Sequence, residues 1–252
     1  MCGSLITHFI APLYHCLLPP RCVLCSYPTH QAQNICHPCQ QDLPILAYGC
    51  CQCAQVLPSS LFPTPLCHTC RNTPPPFDLT YALFPYEPPI IQLILALKFR
   101  QQLSNAQALG ELLHQRIQHE WYQGKPLPDL IIPVPLHPRR LQERGFNQAL
   151  EIARPISKKL YIPIDRDGVH RIKYTAAQSG LSATERKRNM IQAFSTTRDY
   201  TGLSVAVIDD VITTGHTISE LCSILARNGT KNIHVWCCAK RMADIALETK
   251  PL

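Results

Sequence analysis

Two carboxylates stand side by side at Asp209 and Asp210, and a run of small hydroxylated residues follows at once: Thr213, Thr214, Gly215, His216 and Thr217. Carboxylates accept hydrogen bonds, so a neighbouring pair can hold the two hydroxyls of a ribose. Small side chains let a backbone close around a phosphate, with Thr hydroxyls as extra donors. If a helix begins after Gly215, its unpaired N–H groups and the positive end of its dipole converge on the same point. The combination is a site for a 5-phosphorylated ribose. The competing reading is a strand end followed by a Thr-capped helix, which leaves the paired acids without a purpose. His216 is the odd member, because a cation at a helix N-terminus is unfavourable unless an anion is bound.

A second group of residues reads as metal ligands. Eight of the fourteen cysteines form four Cys-x-x-Cys pairs: Cys22/Cys25, Cys36/Cys39, Cys50/Cys53 and Cys67/Cys70. A two-residue gap lets both sulfurs of a tight turn reach one tetrahedral ion, so four pairs make two four-cysteine structural zinc sites. Sequential pairing is the simplest assignment, and an interleaved one stays open. Disulfides would need an exporting signal, and none is read here. The first seventy residues are poor in large apolar side chains, so the metal must supply much of their folding energy.

A third group is basic. Residues 139–188 hold twelve Lys or Arg against five Asp or Glu, a surplus equal to the chain's whole net charge of +7. Such a segment implies a polyanionic partner, either pyrophosphate or nucleic acid. Arg139, Arg140 and Arg144 follow a short apolar strand and suit pyrophosphate, for which Arg offers a fork of donors. Pairing with Glu143 and Glu151 is the bland alternative. Lys158, Lys159, Arg171 and Lys173 are expected away from that loop, with Phe146, Tyr161 and Tyr174 as stacking surfaces for single-stranded DNA.

The elements that must position these groups follow from the pattern of apolar residues. Residues 203–208 are rich in β-branched side chains and read as a strand buried on both faces, ending at the acids. Ile218, Leu221, Cys222 and Leu225 recur at helical spacing until Gly229 stops the helix. Further strands are expected over residues 78–86, 130–135, 169–173 and 232–239. Helices are expected from about 90 to 99, 106 to 122 and 147 to 160. Ser182 and Glu185 form a capping box in a polar, basic loop able to close over a substrate. Three consecutive prolines, Pro74, Pro75 and Pro76, make a stiff linker, so a cysteine module over 21–73 and an α/β domain over 78–252 are expected to have separate cores.

No apolar run is long enough to span a bilayer. Residues 4–18 are mildly apolar but lack the basic start and small-residue cleavage site of a signal peptide. A short N-terminal helix within residues 1–20, packed on the chain or docked on a partner, is the expectation.

The acidic pair and hydroxylated loop resemble the phosphoribosyl pyrophosphate (PRPP) loop of the type I phosphoribosyltransferases. Taken with the Cys-x-x-Cys pairs, Pro133-Val-Pro-Leu-His-Pro-Arg-Arg140, Arg144-Gly-Phe-Asn-Gln148, Gln178, Leu181, Ser182, Arg186 and Asn189, the whole chain resembles the competence protein ComF family, also called ComF/GntX. The Arg-Gly-Phe-Asn-Gln element discriminates, because other phosphoribosyltransferases do not share it. The resemblance implies an α/β type I phosphoribosyltransferase fold, a parallel sheet flanked by helices, preceded by a small four-cysteine zinc module. It implies a cytoplasmic protein of natural transformation, at the inner face of the inner membrane with at most peripheral association. There it would act on incoming single-stranded DNA beside a helicase and other competence proteins. The site residues carried over are Asp209, Asp210 and the 213–217 loop for PRPP, with Mg2+ on its diphosphate. No base-recognition motif is readable, so activity and acceptor stay open, and a nucleotide-salvage phosphoribosyltransferase is the alternative.

Overall fold

The computed structural model describes residues 20–29, 34–46, 49–57, 66–174 and 192–242. The N-terminal helix expected within 1–20 and the capping box at Ser182 and Glu185 lie outside them, as do Gln178, Leu181, Arg186 and Asn189.

Among the described residues the chain runs through α1 (His37–Gln41), α2 (His68–Asn72), β1 (Leu79–Pro85), α3 (Ile90–Arg100) and α4 (Leu103–Arg116). A single π-helical turn, Ile117–Trp121, extends α4. There follow β2 (Leu130–Pro133), α5 (Pro138–Arg144), α6 (Gln148–Leu160), β3 (Val169–Arg171), β4 (Phe194–Thr196), β5 (Ser204–Ile212), α7 (His216–Arg227) and β6 (Asn232–Lys240). Strands β1, β6, β5 and β2 lie in that order in one sheet, all parallel. Strands β3 and β4 form a separate antiparallel pair.

The side-chain period of two sorts β5 onto both faces. Val205 and Val207 face one apolar cluster with Ile218, Leu221, Cys222 and Leu225 of α7. Ala206 and Ile208 face the other, built from α3, α4 and α6 and including Leu97, Leu109, Leu113, Ile152 and Ile156. A strand buried on both faces must read as a continuous apolar run, and residues 205–208 do. The strand does not stop at the acids: Asp209, Asp210, Val211 and Ile212 continue it.

Helices α4 and α6 cross at Gly110. A Cβ there would lie 2.4 Å from both the Ile152 carbonyl oxygen and Pro155 Cγ. Pro155 sits inside α6, where it donates no helix hydrogen bond, and its ring fills the notch that glycine leaves. Gly110→Ala is expected to destabilise the chain by about 1–3 kcal/mol through overpacking, read as a lower urea midpoint at an unchanged slope.

The cysteine knuckles do not stand apart from the sheet. Cys22, Ile35 and Leu43 belong to the cluster on the α3–α4–α6 face, and Ala54 and Phe77 to the cluster on the α7 face. Leu46 N–H donates to Leu83 O at 3.0 Å, and Thr80 N–H to Cys51 O at 2.9 Å. These bonds cover the outer edge of β1, which would otherwise offer unpaired backbone to another chain. The separate cores expected on either side of Pro74–Pro76 are therefore one packed body at this edge.

Candidate functional site

The Asp209–Thr217 segment sits where β5, one of the two inner strands of the sheet, meets α7. Gly215 caps the helix from the left-handed region, φ 78°. Only glycine adopts that conformation without strain, which explains its place in the loop. Ser219 N–H donates to the Gly215 carbonyl at 2.8 Å, closing the first turn of the helix. The exposed Thr213 and Thr214 and the half-buried Thr217 surround this helix start, and His216 is its first residue.

The two acids occupy different surroundings. Asp210 is 3% exposed and bonds Lys98 of α3 through Oδ2, with Nζ at 2.5 Å. Among the described residues that oxygen has no partner besides the ion pair. Asp209 is half-buried, and its carboxyl is held well above the usual range. Loss of water is the main cause and the adjoining Asp210 charge the next, while Lys98 opposes both. Each acid also accepts from the next backbone N–H at 2.9 Å, which fixes its rotamer. Lys98→Met is expected to cost about 3 kcal/mol, because it strands a buried carboxylate beside a second one. Chemical denaturation checks this, and a loss below 1 kcal/mol would show that Asp210 has another partner.

The three arginines predicted for pyrophosphate lie on α5, a short helix where the sequence pattern suggests a loop. His137 Nδ1 caps it by accepting from Arg139 N–H at 3.2 Å, with Pro138 at the first position. Gly145, φ 81°, ends it in the left-handed region. Asn147 then starts α6, its Oδ1 accepting from Ala149 N–H at 2.9 Å and its Nδ2 donating to Val134 O at 3.0 Å. Buried Gln148 accepts from Arg144 Nη1 at 2.6 Å through Oε1. The Arg-Gly-Phe-Asn-Gln element is therefore a joint between two helices that aims Arg144. Burial pulls the Arg144 pKa down, and Asp210 and Asp209 oppose that shift, so the guanidinium lies within electrostatic reach of both acids. Arg140 leans toward Glu143 at 4.0 Å, whereas Glu151 pairs with Arg154 at 2.9 Å and not with the three arginines. Arg139 lies 5.7 Å from the centre of the Tyr174 ring.

Arg171 was expected away from this site. Strand β3 instead holds it half-buried within electrostatic reach of Asp209 and Arg140, with its guanidinium 5.6 Å from the centre of the Phe194 ring. Lys98 was not anticipated at all, since its partner is distant in sequence. Its only local signal is a lysine on a largely apolar helix. Lys240, 7% exposed at the end of β6, was also missed. It is paired in register with Ile212, and its Nζ donates to Thr213 O at 3.3 Å, tying the loop to the sheet.

The eight cysteines gather into two clusters, Cys22, Cys25, Cys36 and Cys39, and Cys50, Cys53, Cys67 and Cys70. Pairing is sequential. Cys25 and Cys36 sulfurs are 3.7 Å apart, as are those of Cys53 and Cys67. Tetrahedral Zn–S bonds of about 2.3 Å set sulfurs about 3.8 Å apart. The donor set thus fits a thiolate-bound ion, and four sulfurs leave no ligand position for catalysis. Among the described residues no helix is long and apolar enough to cross a membrane.

Comparison with known proteins decides the family. Residues 146–251 match the phosphoribosyl transferase domain. The DNA utilization protein YhgH of Escherichia coli K12 is 36% identical over 227 residues, 89% of this chain and 99% of that one. Competence protein F of Haemophilus influenzae is 35% identical over 222 residues, 86% of this chain and 95% of that one. The chain belongs to the competence protein ComF family. As expected of ComF, it joins the two cysteine clusters to a parallel sheet of phosphoribosyltransferase type. Purine phosphoribosyltransferase from Pyrococcus horikoshii Ot3 overlaps 53% of this chain and 71% of its own at 20% identity, with a TM-score of 0.34, too loose a match to carry an argument.

Proposed function

We propose that this ComF-family chain binds PRPP, or a closely related phosphoribosyl ligand, at Asp209, Asp210 and the 213–217 loop, and that it serves natural transformation by acting on incoming single-stranded DNA. The observation that carries the ligand assignment is the convergence at one strand end. An acid pair and an αL-started helix meet there, with Arg144 and Arg171 within electrostatic reach of Asp209. The acids would hold the ribose hydroxyls and the helix start the 5-phosphate. Arg140 and Arg144, with Arg139 at the rim, would neutralise the diphosphate. Mg2+ bound to the diphosphate oxygens would help the leaving group depart. We assign zinc to both cysteine clusters, and the phosphoribosyltransferase domain to residues 78–252. The DNA role draws on the names of the relatives, DNA utilization protein and competence protein. We assign the protein to the cytoplasm, with competence partners that include an uptake helicase. A nucleotide-salvage phosphoribosyltransferase is the second reading, favoured by the completeness of the acid and arginine set.

The DNA assignment has its own test. Lys158 and Lys159 are exposed at the end of α6 beside Tyr161, which is 91% exposed, and Lys173 is exposed beside Tyr174. Because Arg171 belongs to the ligand site, it is left in place. Replacing the three lysines by alanine is expected to flatten the salt dependence of oligodeoxythymidylate binding by about 2 in log–log slope, at roughly 0.7 per phosphate neutralised. PRPP affinity should not change. An unaltered slope would remove this surface as the DNA track.

A further inference from the structure

Asp210 has little to offer a sugar while Lys98 holds it. Its Oδ1 accepts from Val211 N–H at 2.9 Å. Its Oδ2 is sealed from solvent, with Lys98 Nζ at 2.5 Å. The whole residue is 3% exposed. A hydroxyl that is to bond this acid through Oδ2 must first part it from the lysine. Parting a buried ion pair with no substitute costs more than a hydroxyl bonded to a carboxylate returns. Ribose hydroxyls alone therefore do not open the pair.

Lys98 is the partner able to move. It stands in the last turn of α3 with 19% of its side chain exposed, on a flexible four-carbon stem. Its neighbour Phe99 carries the Arg144 guanidinium 5.8 Å from the ring centre. Arg144 is in turn within electrostatic reach of Asp210 and Asp209. An anion gathered by Arg144 is thus brought to the neighbourhood of the lysine and offers it a second counter-ion. The ammonium then passes from one acceptor to another without standing buried and unpaired, which removes most of the cost of opening.

We propose that Lys98 makes ribose recognition at Asp210 conditional on a diphosphate. Without a diphosphate the lysine locks the acid. With one, the ammonium transfers to the diphosphate oxygens and Asp210 is released to a ribose hydroxyl. Lys98 is then a specificity-determining residue, selecting ligands that join a diphosphate to the ribose over a 5-phosphorylated ribose alone. The proposal rests on the loop being a phosphoribosyl site, and the test separates the two.

The consequence has a diagnostic sign. Two anions bound side by side repel, so pyrophosphate by itself should weaken the binding of ribose 5-phosphate. Coupling through Lys98 makes each strengthen the other, by the same factor in both directions.

The full-length, metal-loaded protein is titrated by calorimetry with ribose 5-phosphate in Mg2+, and again with saturating inorganic pyrophosphate added. Affinity should rise by about fivefold or more. Lys98→Met should abolish or reverse the rise. Because that variant also loses stability, a second measurement uses the unaltered protein. The side-chain ammonium signal of Lys98 in a proton–nitrogen spectrum, assigned by its loss in Lys98→Arg, should move with Mg2+ and pyrophosphate and hold still with ribose 5-phosphate. Ribose 5-phosphate that binds equally or more weakly with pyrophosphate would overturn the proposal while the loop assignment stands. A rise that survives Lys98→Met, or an ammonium signal that pyrophosphate leaves unmoved, would overturn it too. Failure of ribose 5-phosphate to bind under either condition would overturn the loop assignment and the proposal together.

Discussion

Removing the metal from the two cysteine clusters is expected to unfold the region before residue 74 and to lower the stability of the rest of the chain. The first half follows from composition: small thiolate sites of this kind draw about 10–16 kcal/mol of apparent binding energy from the ion, and folding there depends on it. The second half follows from packing. Cys22, Ile35 and Leu43 lie in the same apolar cluster as Leu109, Leu113 and Ile152. Exposing such a side chain costs about 1.5–3 kcal/mol, and each kcal/mol lowers the melting temperature by roughly 2–4 °C at this chain length. A chelator should therefore lower the melting temperature of the sheet domain by about 10 °C or more, and metal analysis before chelation should find about two zinc ions per chain, as two four-sulfur sites require. A chelated protein whose sheet domain melts unchanged would show that the knuckles contribute nothing to that core.

Asp209→Asn is expected to stabilise the empty protein and weaken PRPP binding. The native carboxyl is held well above its ordinary pKa by burial and by Asp210. A folded-state pKa above the unfolded value of about 3.9 means the native state favours the proton. The stability this group contributes is complete below about pH 3.9 and is lost as pH rises through the raised pKa. Asparagine removes the penalty and keeps the oxygen that accepts from Asp210 N–H. The gain in melting temperature should thus be small at pH 4.5 and larger at pH 7.5. PRPP affinity should fall about 10- to 100-fold, since a hydrogen bond to a charged group is worth about 1.5–3 kcal/mol. A variant less stable than the parent at both pH values would mean that Asp209 is paired and not strained. Full PRPP affinity would take Asp209 out of the site.

The parts of this fold that were legible in the sequence are those whose signals are local. The β5 run, the acids, the loop and the spacing of Ile218, Leu221, Cys222 and Leu225 lie within 23 consecutive residues. Their order alone reports strand, site and helix. The four Cys-x-x-Cys pairs are local as well, and only their grouping needed three dimensions. What the sequence hid depends on distant contacts. The Lys98–Asp210 ion pair joins α3 to β5. Arg171 reads as one more surface charge until β3 brings it within electrostatic reach of Asp209. Strand β4 is three residues long, too short for any periodicity to show. Helix α5 lies in a basic, proline-flanked stretch that looks like a loop, and its evidence is in its caps, His137 and Gly145. The shared core of knuckles and sheet was hidden by the prolines, which suggest a separation that the packing of Cys22, Ile35 and Leu43 does not respect.

A phosphoribosyl ligand at the end of β5, against the start of α7, would perturb the backbone amides there directly. Amide proton and nitrogen shifts of the isotope-labelled protein, followed while Mg2+ and PRPP are added together, test it residue by residue. The N–H groups of Thr213, Thr214, Gly215 and Thr217 should move most, because they become donors to phosphate oxygens, and Asp209→Asn should suppress the movement at matched ligand concentration. Saturable shifts confined to other parts of the chain, with these four amides unmoved, would contradict it.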